Sequence, residues 1–106
     1  MPKYLVQASY TAQGAGGLLS DGGTGRVEAV RRVVASCGGT LEWLAFAFGE
    51  TDLYCVIELP DDESMAGVSM TVRASGALQS SVVRLLTPEQ IDTAARLTVD
   101  FRAPGT

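Results

Sequence analysis

FAFGETDLYCVIELP, residues 46–60, decides the fold. Two apolar runs flank Gly49-Glu50-Thr51-Asp52, a segment rich in residue types that favour tight turns. The first run extends back as TLEWLAFAF (40–48) and the second is LYCVIEL (53–59), both rich in residues that suit strands. A link this short joins antiparallel neighbours, so the stretch reads as a hairpin. Pro60 stops the second strand, because proline has no N–H to give to a ladder.

Upstream, KYLVQASY (3–10) alternates Tyr4, Val6, Ala8 and Tyr10 with Lys3, Leu5, Gln7 and Ser9, the period of a strand. The glycine-laden TAQGAGGLLSDGGTG (11–25) reads as a loop with one helical turn at Leu18-Leu19. From Arg26 to Cys37, Val27, Val30, Val33 and Val34 recur at helical spacing. Thr24 or Asp21 is the expected cap, and Gly38-Gly39 the expected stop. Downstream, DDESMAGVSMTVRASG (61–76) predicts a helix with acids in its first turn and Met65, Val68 and Val72 on its apolar side. ALQSSVVRLL (77–86) predicts a fourth strand, and Thr87-Pro88-Glu89-Gln90 is a capping box that opens a short last helix. LTVDFRAPGT (97–106) is a strand-like tail with no partner of its own, suited to strand addition on another copy.

The order β-α-β-β-α-β plus a C-terminal helix predicts an α+β fold, a ferredoxin-like sandwich over residues 1–96 with a tail at 97–106. Helices on one side leave the other sheet face bare, and both sides of these strands carry apolar residues. Sheet-to-sheet packing of two copies is the economical cover, so a homodimer or higher homo-oligomer is expected. At 106 residues a folded monomer exposes roughly 5,600 Å² against about 16,000 Å² unfolded, a thin core that association would help.

Composition narrows the chemistry. A net charge of −4 argues against a nucleic-acid partner, and Arg26, Arg31 and Arg32 read as a solvated helix face. No apolar run is long enough for a membrane span, and a strand that starts at Lys3 leaves no room for a signal peptide. Cys37 and Cys55 sit inside periodic segments, as reduced thiols of a cytoplasmic protein do. With no histidine there is no Ser-His-Asp arrangement and no imidazole metal site, so no metal or cofactor is expected.

Gly17 to Thr24 has the glycine spacing of a phosphate loop, but Gly23 stands where the lysine belongs, which leaves a flexible loop or lid. Asp52 is a turn-shaping acid or, less simply, a base at a pocket mouth. Gln7, Ser9, Glu42, Glu58 and Arg84 interrupt apolar strands; buried charges need partners, so these line either a wet rim or a ligand cavity. Tyr4, Tyr10, Trp43, Phe48 and Tyr54 fill a core or line that cavity. Cys55 is expected to be an inert buried thiol.

The stretches PKYLVQASYT, GGTGRVEAV, GGTLEWLAFAFGETDLYCVIELPDDESMA and LLTPEQID resemble the GYD-domain family of small bacterial and archaeal proteins, over about residues 1–95. Gly49, Asp52, Tyr54, Glu58 and Pro60 carry the match, while Thr51 stands where the family signature has its tyrosine. The resemblance implies the dimeric α/β barrel group, which includes isomerases, cofactor-independent monooxygenases and polyketide cyclases. Two readings follow. One is a homo-oligomeric module that binds a small hydrophobic metabolite, between the sheet and helices or at the dimer interface. The other is a cofactor-independent isomerase, cyclase or monooxygenase for an aromatic or polyketide-like metabolite, with Glu58 or Asp52 as base and Arg84 or a tyrosine steadying an oxyanion. Gln7, Ser9, Tyr4, Tyr10, Trp43 and Tyr54 are the expected ligand contacts in either.

Overall fold

The structure is a computed structural model and describes residues 1–106. In chain order the elements are β1 (Lys3–Tyr10), α1 (Ala12–Ser36), β2 (Thr40–Phe46), β3 (Leu53–Glu58), α2 (Asp62–Ala74), β4 (Leu78–Leu85) and α3 (Pro88–Ala95). The strands form one antiparallel sheet in the order β2-β3-β1-β4, as a ferredoxin-like fold requires.

Residue parity sets the two faces. Tyr4, Val6 and Ala8 stand opposite Ile57, Cys55 and Leu53, and these β1 and β3 side chains form the floor beneath the helices. Val34 of α1, Met65 of α2, Leu59 and Leu78 complete the buried cluster. The opposite parity, Lys3, Leu5 and Gln7 against Glu58, Val56 and Tyr54, has no element of this chain over it. A bulge between Leu41 and Trp43 interrupts β2 and frees Glu42 from strict alternation.

The glycine-rich segment is not a loop. Helix α1 starts directly after β1, with Thr11 as its cap: the side chain accepts from Gly14 N at 3.2 Å and donates to Gly76 O at 2.8 Å. Gly14 lies so near the chain entering β4 that an added Cβ would stand 2.0 Å from Ala77 O. That docking holds a helix that propensity alone opposes. The break falls at Gly22, whose φ of 74° and ψ of 171° kink α1 into two parts. A phosphate loop or lid over 17–24 is thereby ruled out, and neither Thr24 nor Asp21 is the cap of α1.

Other punctuation follows the sequence. Gly38 has φ +79°, and the N–H groups of Gly38 and Gly39 donate to Ala35 O and Val34 O to close α1. Asp61 caps α2 and the Thr87–Gln90 box caps α3. Strand β2 ends at Phe46, so Phe48 is fully exposed rather than lining anything. Of the aromatics expected in the core only Tyr4 is buried; Tyr10 and Tyr54 are half-buried, and Trp43 is exposed. Residues 97–106 form no helix or strand and pair with nothing in this chain's sheet.

Candidate functional site

Sheet parity divides the predicted site residues into two groups. Glu58, Gln7, Ser9, Tyr54 and Trp43 belong to the bare face, where Gln7 pairs directly with Tyr54. Tyr4 and Arg84 are cross-strand partners on the helix side. Glu58 and Arg84 therefore cannot meet in one pocket, and the expected convergence of these two charges is corrected. The cause is register: Lys3, not Tyr4, pairs with Glu58.

On the bare face Lys3 bridges two acids, with Nζ 2.7 Å from Glu42 Oε1 and 3.7 Å from Glu58 Oε1. The hydrogen bond and charge of Glu42, followed by the charge of Glu58, raise the lysine pKa. Around this triad the face is apolar, with Leu5, Val56, Val83 and Leu85 in neighbouring strands and Trp43 beside Val56. Ser9 donates to the Glu50 carbonyl in the hairpin turn. Asp52 accepts from Tyr10 N at 2.8 Å, while its own N–H donates to Ala8 O at 2.9 Å. Its carboxylate thus ties the β2–β3 turn to the end of β1, and Gly49 supplies a φ of +103° in that turn.

On the helix side, the Tyr4 hydroxyl donates to the Asp62 carboxylate at the start of α2. Arg84 lies 5.8 Å from the Tyr4 ring centroid and 3.7 Å from Asp62. Burial first, and then the Asp62 contact, raise the Tyr4 pKa and keep the phenol protonated. These three side chains fasten α2 to the sheet.

Between α1 and α2, above the sheet, runs an apolar groove of about 70 Å³. Helix α1 contributes Val30, Val33 and Val34, and α2 contributes Met65, Val68 and Val72. Cys55 and Ile57 lie in the floor. Its polar members are Arg26, Ser69 and Ser80. The Arg26 guanidinium lies beside the Tyr10 hydroxyl and pulls its pKa down against the larger upward effect of burial. Yet the Tyr10 hydroxyl and Arg26 Nε are both buried with no hydrogen-bond partner. Arg26 is thus part of an inward surface, not of the solvated face expected for Arg26, Arg31 and Arg32. The signal was present in the sequence: position 26 is in phase with 30, 33 and 37, the inward stripe of the helix.

No group of three or more Cys, Asp or Glu side chains is placed to hold a metal ion, and no helix is long and apolar enough to cross a membrane. An open cleft of about 560 Å³ lies where β1 and β4 meet the start of α3, lined by Lys3, Arg84, Thr87 and Gln90 among others. It is wide and solvent-facing, and Arg84 is already engaged there by Leu85 O at 2.7 Å. Compared with known proteins, the chain matches the model of the GYD domain over residues 4–95. No curated protein matches it.

Proposed function

The chain belongs to the GYD-domain family, and on that footing we propose that it is a homo-oligomeric binding module. Two copies pack their bare sheet faces together, and each holds a small hydrophobic molecule in the groove between its helices and sheet. The observation that carries the assembly is the uncovered sheet. Val83 and Trp43 of the bare face, on the edge strands β4 and β2, are 44% and 53% exposed. A stable pair needs about 800 Å² covered on each partner, which a four-stranded sheet can supply.

The groove supports the binding half of the reading: it is concave, apolar and bounded by rigid elements, with few polar groups. The reading as an isomerase, cyclase or monooxygenase loses its main support, because Glu58 and Arg84 lie on opposite sides of the sheet. Asp52 is likewise occupied by the Tyr10 amide.

Light scattering at micromolar concentration tests the assembly. The expected mass is at least twice 11.1 kDa, and Val83→Asp is expected to return it to the monomer value. A wild-type chain that scatters as a monomer throughout that range would sink the proposal.

A further inference from the structure

We infer that residues 97–102 of one copy add as a fifth strand to the outer edge of β4 in its partner, so that the two copies exchange C-terminal arms. The inference rests on the pairing of copies proposed above and adds the segment that locks the pair.

The donor has the pattern of a strand. Leu97, Val99 and Phe101 alternate with Thr98, Asp100 and Arg102, and Pro104 ends the run. In its own chain this segment pairs with nothing, and its three large apolar side chains are all exposed. A return to its own β4 needs α3 laid back against the sheet as a crossover. Helix α3 is not built for that, since Ile91 is its one large apolar side chain and none of its residues is buried.

The acceptor is the sheet edge that nothing blunts. Of the two edge strands, β2 is interrupted by a bulge and carries Glu42, both of which discourage strand addition. Strand β4 pairs with β1 without a break from Leu78 to Leu85, and it has no proline and Arg84 as its one charge. Its free row follows from parity. Thr11 N donates to Ala77 O, so the odd-numbered residues of β4 give their backbone groups to β1 and Leu78, Ser80, Val82 and Arg84 turn theirs outward. The Ser80 carbonyl confirms the direction, because it accepts from Arg73 of α2 at 3.0 Å. An open recess of about 620 Å³ beside Leu78, Gln79 and Ser80 leaves room for a strand along this edge.

The two pieces match in chemistry. With Leu97, Val99 and Phe101 on the bare side, the added strand continues the apolar surface of Val83 and Leu85, the surface through which the copies pair. Thr98, Asp100 and Arg102 then lie on the helix side, where Arg73 and Arg84 offer Asp100 a counter-charge. Exchange in both directions satisfies both edges of a two-fold pair at once.

Isotope-filtered NOE spectra of a mixture of labelled and unlabelled full-length chains, with amide hydrogen exchange, test the inference. Contacts from Val99 to β4 are expected between copies, and the Ser80, Val82 and Arg84 amides are expected to be protected. Val99→Pro removes a ladder donor at an exposed position, so the subunit fold is retained. It is expected to strip that protection and to raise the dissociation constant of the pair by at least about tenfold. Contacts confined to one copy, protection along β2 in place of β4, or a Val99→Pro chain that pairs as tightly as the wild type overturns the exchange. A wild-type pair whose Thr98–Arg102 amides exchange freely overturns it as well, while leaving the sheet-to-sheet pairing in place. A wild-type chain that is monomeric sinks both.

Discussion

At Gly39 a single hydrogen atom decides the close of α1. A Cβ there would stand 2.0 Å from Glu58 O, 2.8 Å from Leu59 and 3.0 Å from Val34, and the nearest of these is backbone that cannot step aside. Gly39→Ala should therefore lower stability by about 3 kcal/mol, read as a shift in the urea midpoint. Asp52 shows how an acid in a signature acts structurally. Asp52→Ala leaves the Tyr10 N–H without its acceptor and should cost about 1–3 kcal/mol. Cys55 offers a pH test. Burial pushes its thiol up to about 11 from 9.0, so in that interval the folded chain keeps a proton that the unfolded chain has released. Stability is then full below pH 9 and falls as pH rises towards 11, by about 2–3 kcal/mol from this group. Tyr4 and Tyr10, both raised chiefly by burial, act in the same direction at slightly higher pH. Urea titrations at about pH 8 and pH 10.5 check this, and equal midpoints would count against a buried neutral thiol.

At the scale of the element, α1 separates what glycine permits from what it requires. Around Gly17 there is open space, and it lies inside the first part of the helix. Gly17→Ala should stabilise the chain by about 0.5–1 kcal/mol, since alanine gives up less backbone freedom on folding. Gly22 also has open space, but its φ of 74° is strained for any side chain. Gly22→Ala should cost about 1–3 kcal/mol. Opposite signs from two glycines five positions apart would be seen directly in thermal unfolding, and a stabilising Gly22→Ala would mean that the kink is not needed. The sequence shows six glycines between 14 and 25 and so reads as a loop. It does not show that Gly14 meets Ala77 O, which is 63 residues away. The capping signals were legible because they are local: Gly38-Gly39, the acids at the start of α2 and the Thr87–Gln90 box all act within a turn.

For the whole molecule, the radius of gyration is 17.1 Å, where a compact chain of this length has about 13 Å. The excess goes with an elongated shape, 58 Å in its longest extent, and with residues 88–106, all of them exposed; the Val83→Asp mass measurement belongs to this scale. Lys3 makes a further test of the bare face. Between the sheets of a pair, Glu42 and Glu58 would be left without their shared cation in Lys3→Met. That variant should weaken association by at least about tenfold, and Lys3→Arg should restore it, because an unpaired buried acid is costly.

Alternation, turn residues and caps along residues 1–96 are short-range, and from them the sequence alone determined the strands, the hairpin, the element order and a sheet with one bare face. Only tertiary structure decided which charges share a face. Glu58 and Arg84 lie on different strands, and strand register, set by packing across the sheet, sends them to opposite sides. The same long-range packing made a helix of a glycine-rich segment and turned Arg26 towards Tyr10. Local preferences are worth fractions of a kcal/mol per residue and several act together to fix an element, whereas a site needs side chains from distant segments, and only the folded core determines where those meet.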